Sequence, residues 1–151
     1  MMRIMAIDPG ASGGIAILDD GVVSAVPMPK TMTEICDAIL AESATNEPVQ
    51  AVLERVGGYR PGNSGPSAAK FAEHVGVLKA ALYMANIPLV WEPTPNQWMS
   101  KIGCPKKMAK TERKHWLKNY AARRYPYLSL TLKTSDAVAL LAAYELKGDS
   151  S

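Results

Sequence analysis

Cysteine is scarce: Cys36 and Cys104 are the only two in 151 residues, far apart and in no CxxC pair. Their spacing argues against a disulfide scaffold and against a structural zinc site, and makes a reducing cytoplasm the expected compartment. Long hydrophobic runs are missing too. The longest uninterrupted apolar stretch, residues 137–144, falls far short of a membrane span. The opening MMRIMAIDPG meets an aspartate at position 8, too soon for the core of a signal peptide. No internal repeat, coiled-coil pattern or low-complexity tract is visible. What is present is an ordinary soluble composition, 48% hydrophobic and 21% charged. A chain of this length buries roughly 70% of its unfolded surface, so it needs no cross-link to hold a core. One domain over residues 1–147 is expected, with a polar tail at 148–151.

Net charge is only +3, but its distribution is lopsided. Residues 101–133 hold ten basic side chains and one acid, Glu112, a local excess of +9. The rest of the chain carries an excess of −6. Such asymmetry within one small domain points to a basic surface facing a polyanion, with acids used elsewhere.

The hydrophobic pattern predicts five strands and several helices. Residues 3–8 (RIMAID) form an apolar run closed by Pro9-Gly10. Residues 13–19 and 22–26 flank Asp20-Gly21, a tight-turn dipeptide, and so predict an antiparallel hairpin. Thr33 is placed to cap a helix reaching about Ala44. Residues 49–56 (VQAVLERV) read as a central strand, and 57–66, rich in glycine and proline, as a loop. A helix over 67–85, a strand over 87–91, a short helix opened by Pro95, a basic helix over about 109–124 and a last helix over 134–147 follow. The order β-β-β-α-β-α-β and then helices suits an α/β fold. Its expected form is a mixed five-stranded sheet, an antiparallel meander plus parallel strands, flanked by helices.

Three acids sit where charge is locally unexpected. Asp8 ends the first apolar strand, Glu54 interrupts AVLERV, and Asp136 lies in the first turn of the apolar helix DAVALLAAYEL. Taken singly, each has a local explanation: Asp8 begins a turn, Glu54 pairs with Arg55, and Asp136 favours the helix dipole. Those explanations do not account for all three falling at the ends of core elements. Three carboxylates converging in one pocket repel one another and call for a divalent cation. Hard oxygen ligands of this kind suit Mg²⁺ or Mn²⁺ rather than zinc.

The motif D-P-G-x-S-G (residues 8–13), a hairpin, a strand ending in Glu54 and S-D-A (135–137) at a terminal helix together resemble the RuvC-type Holliday junction resolvases of the RNase H-like superfamily. SAAKFAEHVGVLKAAL (67–82) and P-x-x-x-x-P-T-x-x-x-W (88–98) extend the likeness over residues 3–146. The resemblance implies an RNase H-like fold and Mg²⁺-dependent cleavage of four-way DNA junctions by paired symmetric nicks. Asp8, Glu54 and Asp136 would then hold two ions about 4 Å apart. Lys133 stands where the family usually places a fourth acid, one turn before Asp136, and there it is expected to pair with Asp136 or to contact the scissile phosphate.

By the same resemblance a lysine assists catalysis, Lys110 first and Lys101 second. Lys101, Lys106, Lys107, Lys110, Arg113, Lys114 and Lys118 would line DNA phosphates. Tyr59, with Arg60 beside it, would enter the junction centre. Trp91, Trp98 and Trp116 read as packing residues, and His74 and His115 lack ligand spacing. A homodimer is expected, because a four-way junction has two-fold symmetry, with the helix over 67–85 as its interface. A bacterial cell, or one infected by a phage, is the expected setting. Rival readings are a general RNase H-like nuclease acting on another substrate and a non-catalytic junction-binding module. An actin-like ATPase needs two such domains to enclose a nucleotide, and this length provides one.

Overall fold

A computed structural model describes residues 2–57 and 64–149. The chain runs β1 (Arg3–Asp8), β2 (Gly14–Asp19), β3 (Val22–Pro27), α1 (Met32–Ser43), β4 (Val49–Leu53), α2 (Gly65–Met84), β5 (Leu89–Trp91), α3 (Pro95–Lys101), α4 (Lys110–Arg124) and α5 (Leu132–Asp149). The five strands form one sheet in the order β3-β2-β1-β4-β5. β1 pairs antiparallel with β2 and parallel with β4, so the sheet is mixed, as the element order predicts.

Period-two alternation decides which side chain faces which layer. Met5 and Ile7 of β1, with Ala51 and Leu53 of β4, pack under α1 and α2 against Ile35, Ile39, Leu78 and Leu82. Ile4 and Ala6, with Val52 of β4 and Ala16 of β2, face the opposite layer of α3, α4 and α5. In α5 every residue from 137 to 143 is fully buried, four of them alanine, because this helix lies between the sheet and α3 and α4. Small side chains on both surfaces let the helix approach the sheet closely.

Asp20 and Gly21 both have positive φ, 50° and 79°, which is the mirror-image turn that matches the twist of a two-residue hairpin. The loop after β1 folds back tightly. A Cβ at Gly13 would stand 1.9 Å from the Asp8 carbonyl oxygen, so no other residue fits there.

Several boundaries differ from the sequence expectation. Thr31, not Thr33, caps α1: its hydroxyl accepts from the Glu34 amide at 3.1 Å, the three-residue spacing of a capping box. β4 stops at Leu53, leaving Glu54 as the first residue beyond the strand. α2 begins two residues early, behind Ser64 and Pro66. α5 extends through Asp149, so the helix takes in the start of the expected polar tail. Among the described residues no helix is long and apolar enough to cross a membrane.

Candidate active site

Alternation along β1 places Asp8 on the same side as Ile4 and Ala6, facing α5. Glu54 follows Val52 by two and faces the same way. Because β1 and β4 are parallel, with Ile7 opposite Leu53, the two acids emerge side by side at the strand ends. The Glu54 amide still donates to the Ile7 carbonyl at 3.1 Å, which holds that register past the end of β4.

Asp136 is the fifth residue of α5, just past the first turn, because the helix begins at Leu132 rather than at the expected Thr134. That turn is closed reciprocally: the Thr131 hydroxyl accepts from the Thr134 amide at 3.3 Å, and the Thr134 hydroxyl accepts from the Thr131 amide at 3.1 Å. Three acids from three separate elements therefore share one pocket.

Their electrostatics follow from burial. Loss of water first, then the negative charges of Glu54 and Asp136, push the Asp8 carboxyl up to about 8. A side-chain hydrogen bond joins it to Glu54. Burial, and then the charge of Asp136, also raise Glu54, against three influences that favour its anion: hydrogen bonds from Trp98 and from Asp8 and the charge of Lys114. The Trp98 indole Nε1 donates to Glu54 Oε2 at 2.6 Å. Lys114 Nζ stands 2.9 Å from Asp136 Oδ2. The other oxygen of that acid, Oδ1, is buried without a hydrogen-bond partner.

This donor set fits a hard divalent cation: carboxylates only, one of them raised by burial and by its acidic neighbours, and one oxygen unsatisfied. The three acids do not close into a compact cage. Among the described residues no three His, Cys, Asp or Glu side chains are grouped to bind a single ion. They stand as a carboxylate pair, Asp8 with Glu54, beside an acid–lysine pair, Asp136 with Lys114.

The basic residues distribute unevenly around this pocket. Lys101 is exposed at the end of α3, and Lys106 and Lys107 are exposed on the connection to α4. Lys110 is exposed at the first position of α4, whereas Arg113, Lys114 and Lys118 are half-buried. Lys133 is exposed, and Asp136 pairs with Lys114 rather than with it, contrary to the expected i, i+3 contact. The physical reason is the α4–α5 packing, which aims the inward face of α4 at Asp136. Tyr59 and Arg60 lie outside the described residues.

Two members of the cluster have roles that sequence reasoning missed. The sequence marks Lys114 only as a phosphate contact, yet it shares a helical face with Leu117 and Ala121, both buried. A lysine at i−3 from a core leucine was the available signal. Trp98 had been read as a packing residue, and at 1% exposure it is one. Nothing local in the sequence marks its hydrogen bond to Glu54.

The mixed sheet order, with helices on both faces, is the RNase H-like fold. No family profile matches the sequence, and no curated protein matches it. Solved structures do. The chain is similar to T. thermophilus RuvC in complex with Holliday junction substrate, with a TM-score of 0.60 and 17% identity over 99% of this chain and 96% of that one. It is likewise similar to a Thermus thermophilus RuvC structure, with a TM-score of 0.60 and 15% identity over the same shares. At these identities the likeness establishes the fold: the chain folds as the RuvC resolvases do.

Proposed function

We propose that this protein is a divalent-cation-dependent endonuclease that resolves four-way DNA junctions by paired symmetric nicks. The observation that carries the reading is the approach of Asp8 at the end of β1, Glu54 just past β4 and Asp136 in α5, near enough for their charges to act on one another. The RuvC fold supports it, because one of the similar structures holds a Holliday junction substrate.

In this reading Asp8, Glu54 and Asp136 hold Mg²⁺, for which Mn²⁺ substitutes. Such an ion lowers the pKa of water and offsets the charge that builds on a phosphate. The chain's own side chains do the rest. Trp98 fixes the orientation of Glu54, and Lys114 neutralises Asp136. Lys101, Lys106, Lys107, Lys110, Arg113 and Lys118, with Lys133 at the start of α5, bind phosphates around the pocket and give salt-sensitive affinity. Tyr59 and Arg60, five and six residues after Glu54, contact the junction centre.

Two symmetric nicks call for two copies of the site. α2 presents Ala72, Gly76 and Ala80, all exposed, and half-buried Ala68 at four-residue spacing, and ends in Tyr83 and Met84 at 81% and 72% exposure. A second copy of the chain, packed about a two-fold axis on this helix, covers them.

The test is incubation with a synthetic four-way junction and with linear duplex of the same sequence, in Mg²⁺ and in EDTA. Symmetric nicks in the junction alone, only with Mg²⁺, are expected. Equal cutting of linear duplex would make the protein a general nuclease, and binding without cutting in Mg²⁺ or Mn²⁺ would make it a junction-binding module.

A further inference from the structure

Among the described residues Lys114 is the only basic side chain whose charge acts on both Asp8 and Glu54, and it is also the ion-pair partner of Asp136. Its position is built rather than incidental. The stripe that carries it continues into Leu117 and Ala121, which are buried against α5, so packing delivers the ammonium to the acid. The pair itself is sheltered, with side-chain exposures of 32% for Lys114 and 14% for Asp136.

We infer that Lys114 replaces one of two metal ions: the site takes a single divalent cation at the Asp8–Glu54 pair, and the lysine ammonium supplies the second positive charge at Asp136. This deepens the cation-dependent reading and rests on it.

Charge balance favours one ion. Once a bound ion displaces the Asp8 proton, three carboxylates and one ammonium leave two negative charges, which a single divalent cation cancels. Two such ions would leave the pocket with a positive surplus that a single phosphodiester does not offset. The ligand count agrees, because the acids whose charges act on Asp8 and Glu54 are each other and Asp136, with no fourth carboxylate among the described residues. One turn before Asp136 the chain carries Lys133, so that position offers no carboxylate to a second cation. Asp136 nonetheless keeps Oδ1 free of hydrogen bonds while Oδ2 faces Lys114, so the acid serves both the lysine and the ion.

The experiment is Mn²⁺ binding to the full chain without DNA, counted by electron paramagnetic resonance and by calorimetry. Wild type is expected to bind one Mn²⁺ per chain. Lys114→Ala, which vacates Asp136, is expected to bind two, and Lys114→Arg, which keeps the charge, one. Lys114→Gln serves in place of the alanine variant if that one folds poorly. Two ions in the wild type, or one ion in both neutral variants, would overturn the inference. Failure of the underlying reading looks different: no Mn²⁺ binds wild type or the neutral variants, and the cation-dependent function falls together with this inference.

Discussion

Trp98 and Glu54 are joined by a hydrogen bond of 2.6 Å across 44 residues of sequence. The bond ties a core side chain to an acid of the candidate site. Trp98 is placed by a complete capping box: the Thr94 hydroxyl accepts from the Gln97 amide, the Gln97 side chain accepts from the Thr94 amide, and Pro95 opens the helix. A rigid short helix therefore aims the indole N–H at one carboxylate oxygen, while the same carboxylate also bonds the Asp8 side chain.

Replacing the donor separates positioning from packing. Trp98→Phe keeps an aromatic ring in the core and removes the N–H. Loss of a hydrogen bond behind a metal-binding carboxylate typically weakens the metal by about 10- to 100-fold, so Mn²⁺ affinity should fall by at least tenfold. Leu117→Ala removes comparable core contacts without touching Glu54, and should lower Tm while leaving Mn²⁺ affinity unchanged. Equal Mn²⁺ affinities in wild type and Trp98→Phe would reduce Trp98 to a packing residue.

The pocket predicts an unusual pH dependence for the metal-free protein. Asp8 holds its proton up to about pH 8 when folded, against an ordinary value of 3.8. Between those values the folded chain binds a proton that the unfolded chain has released. Its stability is therefore full below about pH 4 and declines as pH rises through 8, and Glu54, also raised, adds in the same direction. In EDTA, Tm should fall by at least about 5 °C between pH 5 and pH 9, measured by calorimetry. Asp8→Asn should remove most of that slope, and Mn²⁺ should restore stability at the alkaline end. A slope unchanged by Asp8→Asn would place its origin elsewhere.

Gly76 offers a clean test of the proposed dimer. A Cβ there would meet nothing within 4 Å, so the monomer tolerates a large side chain. Gly76→Arg should leave Tm of the fold unchanged or raised, because glycine is a poor helix former. It should convert a dimer to a monomer in light scattering and suppress paired nicking. A wild-type protein that scatters as a monomer both free and junction-bound contradicts the two-fold arrangement.

Much of the fold was legible because it is encoded locally. RIMAID alternates between two layers, Asp20-Gly21 permits one kind of turn, and both assignments match the structure. Thr31 and Thr33 were harder to separate, and the three-residue distance from Thr31 to Glu34 is what selects the first. The three acids could be singled out because each interrupts an apolar element. Their partners could not. Lys110, Lys114 and Lys133 look alike in sequence, and only the packing of α4 on α5 chooses Lys114 across 22 residues. Trp98 shows the same limit, since a core tryptophan gives no sign of where its N–H points.

The most direct measurement compares wild type with Asp8→Asn, Glu54→Gln and Asp136→Asn on one labelled four-way junction, following nicking and binding together in Mg²⁺. Each substitution removes an anionic oxygen from the pocket and leaves the basic residues of α4 and its flanks in place. All three variants are expected to bind the junction within a few-fold of wild type and to lose nicking entirely. Wild-type nicking by any of them would remove that residue from the site, and nicking by all three would contradict the account.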